Sequence, residues 1–266
     1  MSKGDLYTIV TNKKVKGKAG SILVILAGTK ADYVLDNLIK IPSSKRTKAK
    51  EITLNMVISM KLIAKKCFSK ATKVTDRFHV QKLALDALQG IRIKYRWEAI
   101  DKENNQIKEA KNNNKIYQPQ TFANGDTLKQ LLARSRYLLY KTKVDWTQKQ
   151  QQRADILFEQ YPDIKKAYTI CQKLRNLFNN KTITKGIAYT KLAKWFKEVE
   201  DSGFKAFNSV ANSIRINYKL ILNYFDNRST NASAESFNAK IKAFRVQFRG
   251  VRNVEFFLYR LTQIFA

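Results

Sequence analysis

Apolar, β-rich runs at residues 6–12 and 21–27, joined by the basic, glycine-containing stretch 13–20, predict an antiparallel hairpin. Val34, Leu35, Leu38 and Ile39 mark one side of a short helix over Ala31–Ile39, which must stop before Pro42. A cationic link at 43–50 feeds a strand over Glu51–Leu54, then a helix at 57–68 and a short strand over Thr72–Thr75. Strand, helix and strand at this spacing form a βαβ crossover, so these two strands should pair in parallel, with ligands expected at their carboxyl ends. Asn55 and Asp76 stand at those ends.

From residue 80 to about 226 the pattern turns helical. Leu83, Leu85, Leu88, Ile91, Tyr95 and Trp97 open this region, and the polar, Asn-rich stretch 102–115 is expected to end the first helix and expose a loop. Further helices are predicted at 128–140, 148–161, 164–178, 189–200 and 204–225, with breaks around 119–126, at Pro162 and at Gly203. Residues 229–250 then read as one helix with two faces. Ala234, Phe237, Ile241, Phe244 and Phe248 recur at steps of three or four, an apolar stripe suited to a core, while Asn231, Glu235, Asn238 and Lys242 recur on another side. Ser229 to Asn231 are good capping residues and Gly250 is a plausible stop.

Composition narrows the class. With 51 Lys+Arg against 21 Asp+Glu, the formal charge of +30 exceeds what solubility requires and points to a polyanionic partner. A hydrophobic content of 44% excludes a disordered basic tail, because such a chain can bury enough apolar surface to offset its ordering entropy. The reading is a folded nucleic-acid binder. No apolar run approaches the roughly 20 residues needed to span a bilayer; the most apolar run, residues 22–27, is strand-sized. The first residues show no charged-then-apolar leader pattern, so a cytoplasmic location is expected. Cys67 and Cys171, with a single histidine, are too few for a zinc site and are expected to be packing residues.

The segment Val74-Thr75-Asp76-Arg77-Phe78-His79-Val80 resembles the signature of DDE transposases. Together with Asn231-Ala232-Ser233-Ala234-Glu235-Ser236-Phe237-Asn238, it is similar to the ISL-three family of bacterial insertion-sequence transposases. Residues 6–11, Phe122-Ala123-Asn124-Gly125 and Phe248-Arg249-Gly250-Val251-Arg252-Asn253 extend the likeness over nearly the whole chain. The resemblance implies an α/β, ribonuclease-H-like mixed sheet with a large all-α insertion. Its carboxylates would hold Mg²⁺ ions that cut a DNA end and join it to target DNA. The implied division is a partial catalytic core at 1–80, a helical insertion at 81–228 and a C-terminal helix completing the core at 229–266.

The same resemblance sets expectations for single residues. Glu235 matches the last catalytic carboxylate. Asn55 occupies a position where the family usually has Asp, and Asp76-Arg77-Phe78-His79 follows it by 21 residues. Two assignments stay open. Either Asn55 is the degraded second ligand, with Asp76, Arg77 and His79 structural or facing DNA, or Asp76 is itself the second metal-binding carboxylate beside Glu235. The family's first Asp and its first strand, and an N-terminal end-recognition region, lie upstream of what this chain contains, and Asp5 is no evident substitute. Lys242, two turns beyond Glu235, and Arg245, Arg249 and Arg252 are expected to contact DNA phosphates. The functional expectation is a truncated transposase fragment that binds DNA, both transposon ends and target, as a homo-oligomer or in mixed assembly with an intact transposase, and lacks strand-transfer activity. The alternative is a non-catalytic basic DNA-binding protein or trans-acting inhibitor.

Overall fold

The computed structural model describes residues 6–247 and 253–266. In chain order they form strand β1 (Tyr7–Thr11), strand β2 (Ile22–Ala27), helix α1 (Ala31–Ile39), helix α2 (Ser43–Arg46), strand β3 (Glu51–Leu54), helix α3 (Ile58–Cys67) and strand β4 (Thr72–Thr75). Helices α4 (Arg77–Asn112), α5 (Leu128–Arg134), α6 (Gln148–Gln160), α7 (Pro162–Asn179), α8 (Lys185–Ser202), α9 (Lys205–Leu222), α10 (Tyr224–Asn227), α11 (Ala232–Gln247) and α12 (Val254–Phe265) follow. The chain divides into two compact units, one built from the residues up to His79 together with those from Asn217 onward, the other from Val80–Ile216. The fold is mixed α/β, mostly helical with small sheets.

In the first unit β1 and β2 pair antiparallel, and β3 and β4 pair in parallel, as the pattern predicts. Among the described residues these remain two separate two-stranded sheets, so one continuous mixed sheet is not formed. A bulge breaks the hairpin register between Val10 and Thr11: Val10 pairs with Val24 but Thr11 with Ile22, which leaves Leu23 unpaired and exposed. Because strand side chains alternate between faces, the extra residue moves Ile22 to the face of Ile25. One face of the hairpin, with Val10, Val24 and Leu26, packs on Val34, Leu35 and Leu38 of α1 and on Ile63 and Cys67 of α3. The opposite face, with Ile9, Ile22 and Ile25, packs on Phe237, Ile241 and Phe244 of α11 and on Leu261 and Phe265 of α12.

Glu51 holds three segments of this unit together. Its carboxylate takes an ion pair from Lys13, just beyond β1, and a hydrogen bond from Asn227 Nδ2 at 3.3 Å; Ser229 also donates to it. Lys13 donates in addition to Thr53 Oγ1 at 3.2 Å. Burial pushes the Glu51 carboxyl upward, but the hydrogen bonds from Lys13, Ser229 and Asn227 together outweigh it and hold the group below its ordinary value.

The second unit is helical. Its first helix is longer than predicted, because α4 runs on to Asn112 rather than ending in the Asn-rich stretch. Lys, Glu and Gln are good helix formers and dominate that stretch, so the asparagines do not break it until Asn114 takes a left-handed φ of 51°. The segment 122–126 is a turn rather than a loose loop. Gly125 sits at φ 77°, Phe122 N–H donates to the Asp126 carbonyl at 2.9 Å, and the turn ends at Thr127, which caps α5 with Gln130 in a reciprocal capping box. Asp126 is fully buried and accepts from Arg153 Nε at 2.7 Å, from Asn124 Nδ2 at 2.9 Å and from Arg134. Burial acts to raise its carboxyl, but the two guanidiniums more than compensate and hold it low. Cys171 is buried and donates its thiol to the Ala84 carbonyl at 3.1 Å, and Cys67 lies in the α1–α3 core, so both cysteines are packing residues.

At the C-terminus the predicted single helix is two among the described residues, since α12 follows α11 behind an Asn253 cap whose Oδ1 accepts from Phe256 N–H at 2.9 Å. Phe248, Arg249, Gly250 and Arg252 lie outside the described residues.

Removing one partner of a buried ion pair strands the other charge. Asp126→Asn should therefore destabilise by about 3 kcal/mol, whereas Arg134→Ala, on a half-exposed guanidinium, should cost under about 1 kcal/mol. Chemical denaturation of both variants checks this order. Acid should also weaken the fold in a defined direction. Both Glu51 and Asp126 titrate below their ordinary values of 4.5 and 3.8 when folded, so their stabilisation is complete above those values and is lost as the pH falls through the lower folded ones. The unfolding midpoint should drop steadily below roughly pH 5, and Glu51→Gln with Asp126→Asn should flatten that drop.

Candidate metal and DNA-processing site

β3 and β4 end side by side. Leu54 pairs with Thr75, and the Asp76 N–H donates to the Leu54 carbonyl at 3.1 Å, so Asn55 and Asp76 leave the parallel pair together. Asp76 is 1% exposed and Oδ1 of its carboxylate accepts from the Phe78 N–H at 3.2 Å, which makes it the cap of α4. His79 lies three residues on, in the first turn of α4 and half-buried, on the side of the helix that faces back over Asp76.

Glu235 arrives from the other end of the chain. It sits in the first turn of α11, exposed, its N–H donating to the Asn231 carbonyl at 3.0 Å. An acidic residue there gains about 0.3–1 kcal/mol from the helix dipole. That is too little to place the helix. Burying Phe237, 2% exposed, is worth about 1.5–3 kcal/mol, and it is this contact with Ile22 and Leu261 that seats α11. Glu235, two residues before Phe237, is carried into position by that packing. One ligand atom each from Asp76, His79 and Glu235 then lies within 4.8 Å of the others.

The remaining expected residues fall into different places. Asn55 turns its side chain onto its own chain, where Oδ1 accepts from the Val57 N–H at 3.2 Å. Arg77 places its guanidinium over the Tyr224 ring at 6.0 Å. Lys242 and Arg245 are exposed on α11, and Arg249 lies outside the described residues, as does Asp5. Lys240, which the sequence pattern did not single out, donates to the Gly17 carbonyl at 3.1 Å and ties α11 to the basic loop after β1. Gly17 has φ 75°, and a side chain there would meet Lys240 Nζ at 3.1 Å, so the tie depends on glycine. Glu51 was also missed; it stands at the amino end of β3, and nothing in its local sequence distinguishes it from a surface carboxylate.

Two carboxylates, one buried and one exposed, with an imidazole beside them, are a donor set that fits a divalent cation. Among the described residues no other group of three His, Cys, Asp or Glu side chains comes this close. No helix among them is long and apolar enough to cross a membrane.

No curated protein and no solved structure matches the chain. A family model of ISL-three DDE transposases, described as transposase, matches residues 1–261. With Asp76 and Glu235 brought together from the two segments that carry the likeness, and with the match spanning nearly every residue, the chain belongs to the ISL-three family of DDE transposases.

Proposed function

We propose that the first unit is a ribonuclease-H-like catalytic core of a DNA transposase, in which Asp76 and Glu235 hold divalent metal, and that the second unit is a helical insertion into it. The observation that carries this reading is the convergence of Asp76, His79 and Glu235 from positions far apart in sequence. When bound, divalent cations would supply Lewis-acid stabilisation of the phosphate and of the attacking and leaving oxygens of in-line displacement. The chain's own residues do the rest. Glu235 is exposed, so a phosphodiester can reach it. Lys242, seven residues further along α11, shares its helix face and is free of any ion pair among the described residues, which suits a phosphate of the incoming strand.

Under this reading the chain does not complete strand transfer by itself. A two-ion centre needs carboxylate charge that Asn55 does not bring, because an amide offers a carbonyl oxygen without a negative charge. The cluster supplies two carboxylates. DNA binding is retained, because it rests on the +30 formal charge rather than on the metal. In this respect the chain would act as a DNA-coating protein or as a partner in mixed assembly with an intact transposase.

Two measurements test these statements. Purified protein should leave supercoiled plasmid and the element's own ends uncut in Mg²⁺, and nicking or joining above a Glu235→Gln control would sink the claim of inactivity. DNA affinity should fall steeply and log-linearly with salt for any sequence. The double variant Lys242→Ala and Arg245→Ala should lower the slope by about two, at roughly 0.9 per phosphate contact. Salt-insensitive binding would count against a phosphate-based interface.

A further inference from the structure

We infer that His79 is a third ligand of the Asp76–Glu235 site and that the site therefore selects transition-metal cations over Mg²⁺. The inference rests on the reading that Asp76 and Glu235 hold a divalent cation, and extends it to the identity of the metal.

Two observations point the same way. The first is geometric: an imidazole nitrogen of His79 and one oxygen from each of Asp76 and Glu235 lie within 4.8 Å of one another, close enough for one ion to take all three. The second concerns Asp76 by itself. Its carboxylate is 1% exposed, accepts the Phe78 N–H, and forms no ion pair with any Lys or Arg among the described residues. This occurs in a chain that carries 51 such side chains. Buried carboxylates are paired with a cation or coordinate a metal, and Asp126 shows the first solution in the same protein, flanked by Arg134 and Arg153. Asp76 has the second solution within reach.

The donor set then decides which metal. Mg²⁺ takes hard oxygen ligands in near-ideal octahedral geometry and gains little from an imidazole. Co²⁺, Ni²⁺ and Zn²⁺ bind imidazole well and outrank Mn²⁺ at mixed nitrogen and oxygen sites. One histidine with two carboxylates, one of them solvent-exposed, leaves positions open for water or a phosphate oxygen. A site with Asp76 and Glu235 as its only protein ligands would show a markedly weaker preference, because carboxylate oxygens discriminate less among these cations than an imidazole does.

His79 is the one histidine in the sequence, which makes the test direct. Tag-free protein is titrated with Co²⁺, Mn²⁺ and Mg²⁺ by calorimetry, and the single imidazole is followed by nuclear magnetic resonance as Mn²⁺ is added. The expected result is Co²⁺ binding at least about tenfold tighter than Mg²⁺ with Mn²⁺ between them, broadening of the imidazole signals at substoichiometric Mn²⁺, and a clear fall of the Co²⁺ preference in His79→Asn. Glu235→Gln and Asp76→Asn should weaken every cation, and the Asn replacement keeps the α4 cap, so far-ultraviolet circular dichroism should stay unchanged. A Co²⁺-over-Mg²⁺ preference that is absent, or that is unchanged in His79→Asn, with Glu235→Gln failing to bind, would overturn the ligand role of His79 and leave the carboxylate site standing. Absence of binding, or binding that survives both Glu235→Gln and Asp76→Asn, would overturn the inference and the metal site together.

Discussion

The first unit depends on a hairpin that is apolar on both faces. Val10, Val24 and Leu26 face α1 and α3, while Ile9, Ile22 and Ile25 face α11 and α12. A two-stranded ribbon cannot leave either set in water, so it requires a helical layer on each side. The nearer layer is local in sequence. The farther one is recruited from beyond residue 231, across the whole second unit of the chain. The bulge at Leu23 matters to this arrangement, because it turns Ile22 toward α11 and α12, where it meets Phe237 and Leu261. The position of Glu235 in the candidate site follows from that recruitment: α11 comes to the hairpin for its phenylalanine, and Glu235 comes with it.

Polar contacts then set the details that apolar packing leaves open. Hydrophobic burial is non-directional and fixes that α11 lies on the sheet more firmly than how it enters. Glu51 supplies direction at the entry, joining Lys13 just beyond β1 to Asn227 and Ser229 just before α11. Lys240 supplies it one turn past Phe237, on the Gly17 carbonyl. In the second unit Asp126 has an analogous part, drawing Arg134 of α5 and Arg153 of α6 onto one buried carboxylate. The family likeness at Phe122-Ala123-Asn124-Gly125 thus marks a turn that delivers a structural ion pair, whereas the likeness at Val74–Val80 and Asn231–Asn238 marks side chains that meet. Sequence resemblance does not separate these two kinds of motif; burial and partners do.

Asp76 and Asp126 face the same electrostatic problem with different answers. Both are buried carboxylates in a strongly basic protein. Asp126 is neutralised by two guanidiniums and is thereby closed to any ligand. Asp76 caps α4 and faces an imidazole and an exposed glutamate instead. Cations are abundant on this chain, so the absence of an ion pair to Asp76 among the described residues reflects local packing and not composition.

Much of the architecture was legible from periodicity. The hairpin, α1, the β3–α3–β4 crossover and the cores of the later helices follow from apolar spacing and from Pro and Gly, because these signals are local and each element shorter than about twenty residues is set by its own pattern. The Asn-rich end of α4 departs from the local pattern for the same reason: asparagine counts as a breaker locally, yet the Lys, Glu and Gln interspersed with it carry the helix through. The position of α12 was also missed, although Leu261 and Phe265 have helical spacing. The candidate site was only half legible. Sequence could single out Asp76, His79 and Glu235 as chemically competent, but it left open whether Asp76 or Asn55 accompanies Glu235, and it was silent on Glu51 and Lys240. Which side chains meet across more than 150 residues of intervening chain is decided by tertiary packing: the seating of α11 on the hairpin brings Glu235 to Asp76 and His79.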